Sequence, residues 1–166
     1  MPLLIEEINH FAHQQFTESL GWVFEHSPWV AERVWHYRPF SSCAHLSDLM
    51  NGEVAAASVK DQMALLRAHP DLGTRAKISP NSSREQAGAG LDRLTGDEYI
   101  RLIDLNGAYR EKFGFPFLYA VKGSDKFAIL EALERRLSSS REDEFQEALR
   151  QVYRIARFRL ESIISE

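Results

Sequence analysis

Hydrophobic residues along this chain recur at helical spacing between capping and breaking signals, and almost no stretch alternates with period two, so the pattern predicts an all-α protein. Ser27-Pro28 sets an N-cap before a proline at the first helical position, and Trp29, Val30, Val34 and Trp35 follow on one face until Arg38-Pro39 ends the element. A second helix opens near Ser41 or Ser42 and carries Leu46, Leu49 and Met50. A third, capped by Ser58, runs through Val59, Met63 and Leu66 until Pro70 stops it. Residues 70 to 82, with their Pro, Gly, Ser and Asn, read as a loop before a short helix from about Ser83 to Ala89. Thr95-Gly96-Asp97-Glu98 is a capping box that opens a helix through Tyr99, Leu102, Leu105 and Tyr109, ending near Gly114. Ser124 is expected to cap another helix, with Phe127, Leu130, Leu133 and Leu137, and the last runs from about Arg141 to Ile164.

Size and charge narrow the picture. A chain of 166 residues without repeat, low-complexity tract or linker is expected to form one domain over its whole length. Area scaling lets such a chain bury about 70% of its unfolded surface in a single core. The net charge of −4 argues against a nucleic-acid partner, which needs clustered positive charge. No run approaches 18 apolar residues, so no membrane span is expected. The start, Met1-Pro2-Leu3-Leu4-Ile5-Glu6-Glu7, lacks the basic flank and apolar stretch of a secretory signal, Cys43 has no disulfide partner, and Ile164-Ser165-Glu166 is not a peroxisomal tail. These features point to the cytoplasm.

One segment interrupts the helical order. Phe113-Gly114-Phe115-Pro116-Phe117-Leu118-Tyr119-Ala120-Val121 is too apolar for a surface loop and too broken by Gly and Pro for a helix, so it must be buried in extended form. Its backbone N–H and C=O groups then need partners outside regular structure; a hydrophobic plug and a ligand-contacting wall both fit. Among the polar residues, His10 and His13 stand i, i+3 on a predicted helix but have no evident third metal ligand, and Cys43 reads as a small buried hydrophobe. No metal site is expected.

Three residues carry more chemistry. His69 falls at the end of the third helix on the face of Gln62 and Leu66, where its imidazole can either exchange protons near neutral pH or simply bond a carbonyl. Glu85 fits a capping box with Ser82, as Gln86 does with Ser83; the alternative is a helix N-terminus that presents these side chains to an anionic or carbonyl-rich ligand. Arg159 falls inside the apolar stripe of the last helix, formed by Phe145, Ala148, Leu149, Val152, Ile155, Ala156, Leu160 and Ile163, whereas Arg150, Arg154 and Arg157 face away. A guanidinium turned into a core needs a carboxylate or an anionic ligand, because it cannot shed its charge. The expectation is that bound substrate meets that charge.

Several strings resemble one family. Ala68-His69-Pro70-Asp71-Leu72-Gly73, Ser82-Ser83-Arg84-Glu85-Gln86 with Ala89-Gly90-Leu91, Phe113-Gly114-Phe115-Pro116-Phe117, and Ile155-Ala156-Arg157-Phe158-Arg159-Leu160 are similar, in order, to the 2-oxo-4-hydroxy-4-carboxy-5-ureidoimidazoline (OHCU) decarboxylases of urate degradation. The likeness extends to Phe24-Glu25-His26-Ser27-Pro28-Trp29 and Arg38-Pro39-Phe40.

The resemblance implies an all-helical, cofactor-free enzyme that converts OHCU to (S)-allantoin and carbon dioxide. By position it makes His69 and Glu85 the catalytic pair. Substrate binding falls to Pro70, Ser82, Gln86 and Arg159, with Ser83 and Arg84 in the same string, and to the backbone of Phe117, Leu118, Tyr119, Ala120 and Val121. Spacing from Glu85 favours Ser82 over Ser83. The implied partner is this small molecule, bound by a monomer or homodimer. Two other readings of the same residues are a helical interaction module without catalysis and a hydrolase of another ureide.

Overall fold

Helices form wherever the caps and apolar spacing ask for them, and the computed structural model, which describes residues 1–74 and 79–166, is all-α as expected. The centre of the anticipated loop, residues 75 to 78, lies outside the described residues. Among the described residues the order is β1 (Leu3–Leu4), α1 (Ile5–Asn9), α2 (His13–Leu20), α3 (Trp29–Val34), α4 (Cys43–Ala56), α5 (Val59–Arg67), α6 (Pro80–Gly88), α7 (Gly96–Phe113), α8 (Lys126–Arg136), α9 (Arg141–Ile163) and β2 (Ile164–Ser165). No helix among them is long and apolar enough to cross a membrane. The chain divides into two compact units, residues 1–68 with 153–166, and residues 69–152.

In the first unit α3 packs on α2 and α4, and Phe16 stacks on Phe40 with ring centroids 5.7 Å apart. Ser42 and Ser58 cap α4 and α5 as predicted, their hydroxyls accepting from the His45 and Asp61 N–H groups. Ser27 does something else. The chain reaches it through a left-handed residue, His26 at φ 47°, and its hydroxyl donates back to the Glu25 carbonyl at 2.9 Å, so α3 opens at Pro28 without a side-chain cap. His10 and His13 are not one helix face: His10 closes α1 and His13 opens α2. The parallel pairing of Leu3 with Ile164 and Leu4 with Ser165 was not predicted, since two residues are too few to show alternation.

In the second unit Thr95 and Glu98 make the expected capping box of α7, and Gly114, at φ 79°, ends that helix in the left-handed conformation that suits glycine. Tyr109, on the buried face of α7, gathers the rings of Phe113, Phe115 and Phe117 at centroid distances of 4.5, 5.9 and 5.4 Å. Asp125, not Ser124, caps α8. The Ser124 N–H closes a turn onto the Val121 carbonyl and its hydroxyl meets the Tyr119 hydroxyl at 2.9 Å, which moves the capping role one residue on.

Candidate functional site

Helix α6 begins earlier than the Ser82 and Ser83 frames suggest. Ser79 is its N-cap, accepting from the Ser82 N–H at 3.2 Å, and Pro80 occupies the first turn, where its missing N–H costs nothing. Ser82 and Glu85 are therefore interior helical residues, and both capping-box readings are corrected: the Ser-Pro pair just upstream is the stronger start signal. The helix then sorts its side chains by face. Ser82 and Gln86, one turn apart, are buried, Glu85 is half-buried, and Ser83 and Arg84 are exposed, with Arg84 donating to Asn81 at 2.7 Å.

His69 is buried, as predicted, but it lies two residues beyond the end of α5, which finishes at Arg67. Pro70, half-buried, begins a loop held at three successive residues. Arg110 donates to the Asp71 carboxylate at 2.9 Å, the Asn106 amide donates to the Leu72 carbonyl at 3.0 Å, and the Gly73 N–H donates to Gln86 Oε1 at 2.9 Å. Gly73 sits at φ 70°, the left-handed conformation that favours glycine, and a Cβ there would lie 2.3 Å from a Leu102 methyl, which would have to shift. The bond to Gly73 also orients Gln86. A backbone N–H can only donate, so the amide oxygen faces Gly73 and the NH2 end is the one able to donate to a ligand carbonyl or carboxylate.

The aromatic segment is buried without regular structure, as its composition predicts, with only Tyr119 half-buried between Phe115 and Val121. Side chains from the next two helices hold its backbone. Arg136 of α8 donates to the Leu118 carbonyl at 2.6 Å, and Gln151 of α9 accepts from the Ala120 N–H at 2.9 Å. Arg136 also pairs with Glu144, donating from Nε at 2.5 Å, and lies 4.5 Å over the Phe117 ring, while the Tyr109 hydroxyl donates to the same Glu144 oxygen at 2.6 Å. Burial, then the hydrogen bond to Glu144, pushes the Tyr109 hydroxyl well above the usual tyrosine range, so it stays a neutral donor.

Sequence reasoning missed Arg136, Glu144, Gln151 and Asn106. The signal was present for two of them, because Glu144, Ala148, Gln151, Ile155 and Arg159 share the stripe that drew attention to Arg159.

In the first unit Arg159 is buried, as the stripe requires, and forms an ion pair with Glu25 at 2.9 Å, both side chains being 4% exposed. Its Nη1 also reaches the Trp22 and Val23 carbonyls at 3.3 and 3.4 Å. The expectation that a ligand is the main partner of this charge is corrected: the protein supplies a carboxylate, from a residue inside the Phe24-to-Trp29 string. Among the described residues no group of three or more His, Cys, Asp or Glu could hold a metal ion.

Comparison with known proteins adds the decisive observation: a family described as OHCU decarboxylase matches residues 9–161. The chain belongs to the OHCU decarboxylase family. That family consists of carboxy-lyases, and its match takes in every candidate residue above. The chain is 47% identical over 161 residues to the 2-oxo-4-hydroxy-4-carboxy-5-ureidoimidazoline decarboxylase of Halalkalicoccus jeotgali, covering 97% of this chain and 92% of that protein. It is 49% identical over 162 residues to the uric acid degradation bifunctional protein PucL of Bacillus subtilis, covering 98% of this chain but 33% of that protein. A crystal structure of (S)-allantoin synthase superposes with a TM-score of 0.82 at 32% identity, over 98% of this chain and 54% of that one. The chain thus spans a third of the Bacillus subtilis protein, about half of the allantoin synthase chain, and nearly all of the Halalkalicoccus jeotgali decarboxylase.

Proposed function

We propose that this OHCU decarboxylase family member removes the carboxylate of OHCU to give (S)-allantoin and carbon dioxide, acting as a single catalytic domain in the cytoplasm, as a monomer or homodimer. The observation that carries the reading is the near full-length relation to the Halalkalicoccus jeotgali decarboxylase, in a chain that carries the His69, Glu85 and aromatic strings.

The chemistry needs little beyond orientation and proton control. When the bond to the carboxylate breaks, its electron pair passes into the adjacent ring π-system, which serves as the electron sink without pyridoxal, thiamine or a metal. The hydroxyl then gives up its proton to become a ring carbonyl, the neighbouring carbon gains one proton on a single face, and one further proton, taken up by the ring nitrogen, neutralises the negative charge left on the ring when carbon dioxide departs neutral. His69 and Glu85 are assigned these transfers. Arg159, Ser82, the Gln86 amide NH2 and the backbone at residues 117 to 121 hold the carboxylate, the ring and its carbonyls. Ser83 and Arg84, being exposed, take a smaller part.

The test is to oxidise urate in situ, pass the product through 5-hydroxyisourate hydrolase, and follow the optical activity of the allantoin formed. Rapid accumulation of one enantiomer is expected; racemic product at the uncatalysed rate would leave an interaction module instead. His69→Asn should keep the fold and lower turnover by about 10²-fold or more if the imidazole moves a proton.

A further inference from the structure

The substrate-facing segment is fastened by polar groups that play no part in the chemistry above. We infer that Arg136, Glu144, Tyr109 and Gln151 form a buried bracket that presets the backbone of residues 117 to 121 before substrate arrives, which makes Gln151 and Arg136 positioning residues of the site. The inference rests on the reading of that segment as a substrate contact.

Burial makes this arrangement informative. An apolar segment between two helices could have been held by its rings alone, and buried arginine and glutamate are costly unless fully engaged. Here the bracket spends its polar atoms on backbone. Arg136 takes the Leu118 carbonyl and Gln151 the Ala120 N–H, while Glu144 and Tyr109 fix the guanidinium from behind. The Val121 carbonyl is used by the Ser124 N–H. Among the described residues nothing partners the backbone N–H or C=O of Phe117 and Tyr119, the N–H of Leu118 and Val121, or the C=O of Ala120. Buried backbone groups normally find partners, so these are the positions at which the segment can receive a ligand's oxygens and N–H groups. Pinning Leu118 and Ala120 fixes where their neighbours' groups point, and a site set in advance does not spend binding energy on ordering the segment.

Gln151→Met removes the acceptor for Ala120 at nearly constant volume. With a neutral hydrogen bond worth about 1 kcal/mol, KM should rise about fivefold while kcat changes less than about twofold. Gln151 also lies 3.5 Å from Glu147, so the exchanged pair Gln151→Glu with Glu147→Gln keeps both an acceptor for Ala120 and the same net charge, and should restore KM. Exchange of the Ala120 amide, read by NMR on the parent without ligand, should be as slow as that of amides in α7, and faster in Gln151→Met. A parent-like KM in folded Gln151→Met, or an equal rise in the exchanged pair, would overturn the bracket. So would loop-like exchange in the unliganded parent, a measurement that holds even if the variants do not fold. A parent inactive in the coupled assay yet slowly exchanging at Ala120 would instead remove the decarboxylase reading and leave the bracket standing as structure.

Discussion

Two arginines, one in each unit, are buried beside a buried glutamate, and they differ in how firmly they are held. Arg136 has short bonds, 2.5 Å to Glu144 and 2.6 Å to the Leu118 carbonyl, and its glutamate is held in turn by Tyr109. Arg159 has Glu25 at 2.9 Å but reaches the Trp22 and Val23 carbonyls only at 3.3 and 3.4 Å, near the limit of a useful bond. The first guanidinium is committed to the fold. The second, under the proposed function, is the one that also meets the substrate. An inward arginine on an apolar stripe therefore says only that some acceptor exists.

The largest effects come from cutting each pair. Arg136→Met and Arg159→Met each leave a buried carboxylate without its cation, and each should cost about 3 to 5 kcal/mol in denaturant unfolding. Removing the stranded acid restores stability in both units, so Arg136→Met/Glu144→Leu and Arg159→Met/Glu25→Leu should both fold. They part in the coupled assay. The first double variant should show mainly a raised KM, whereas the second should lose about 10²-fold in kcat/KM, the worth of charge-assisted bonds to substrate. Equal losses in the two would dissolve the distinction.

A smaller effect sharpens it. Glu25→Gln keeps the shape and an acceptor but leaves Arg159 uncompensated, at a cost of about 2 kcal/mol. An anionic substrate should then find a stronger attractor, with KM about threefold lower and more sensitive to salt. An unchanged KM, with the same loss of stability, would make Arg159 a strut like Arg136.

The helical fold was legible because caps and apolar spacing act locally: Thr95 with Glu98, Ser58 and Ser42 cap where they are read to cap. Errors fell where two local signals compete within three residues. Ser79-Pro80 outranked Ser82 and Ser83, and Asp125 outranked Ser124, since an N-cap is settled by where the chain turns as well as by side-chain chemistry. The burial of His69 was legible from one helical face and that of Arg159 from another. Glu144 and Gln151 were passed over because a stripe read in apolar letters skips the polar residues that a buried backbone segment draws inward to satisfy it. The buried aromatic run announced that partners were needed, and only the folded chain shows which helices provide them.

The finest test of the contrast lies in the alkaline range, on the Arg136 side. The Tyr109 hydroxyl is pushed well above its ordinary value by burial and then by its bond to Glu144, so the folded state holds its proton where the unfolded chain releases it. A raised pKa gives stability that is fully present below the unfolded value, about 10 for tyrosine, and that is lost as pH climbs from there toward the folded value. Above about pH 10 this one group should remove about 1.4 kcal/mol of stability per pH unit. Tyr109→Phe gives up the hydrogen bond to a charged acceptor, about 1.5 to 3 kcal/mol at neutral pH, together with that share of the alkaline slope. Parent and variant should differ most near pH 7 and converge toward about pH 11 in urea unfolding. Tyr153 and Cys43, also raised by burial, add the same slope to both proteins and cancel in the difference. Two curves that stay parallel through pH 11 would mean that Tyr109 does not secure Glu144, and the firm arginine would then be held no better than the loose one.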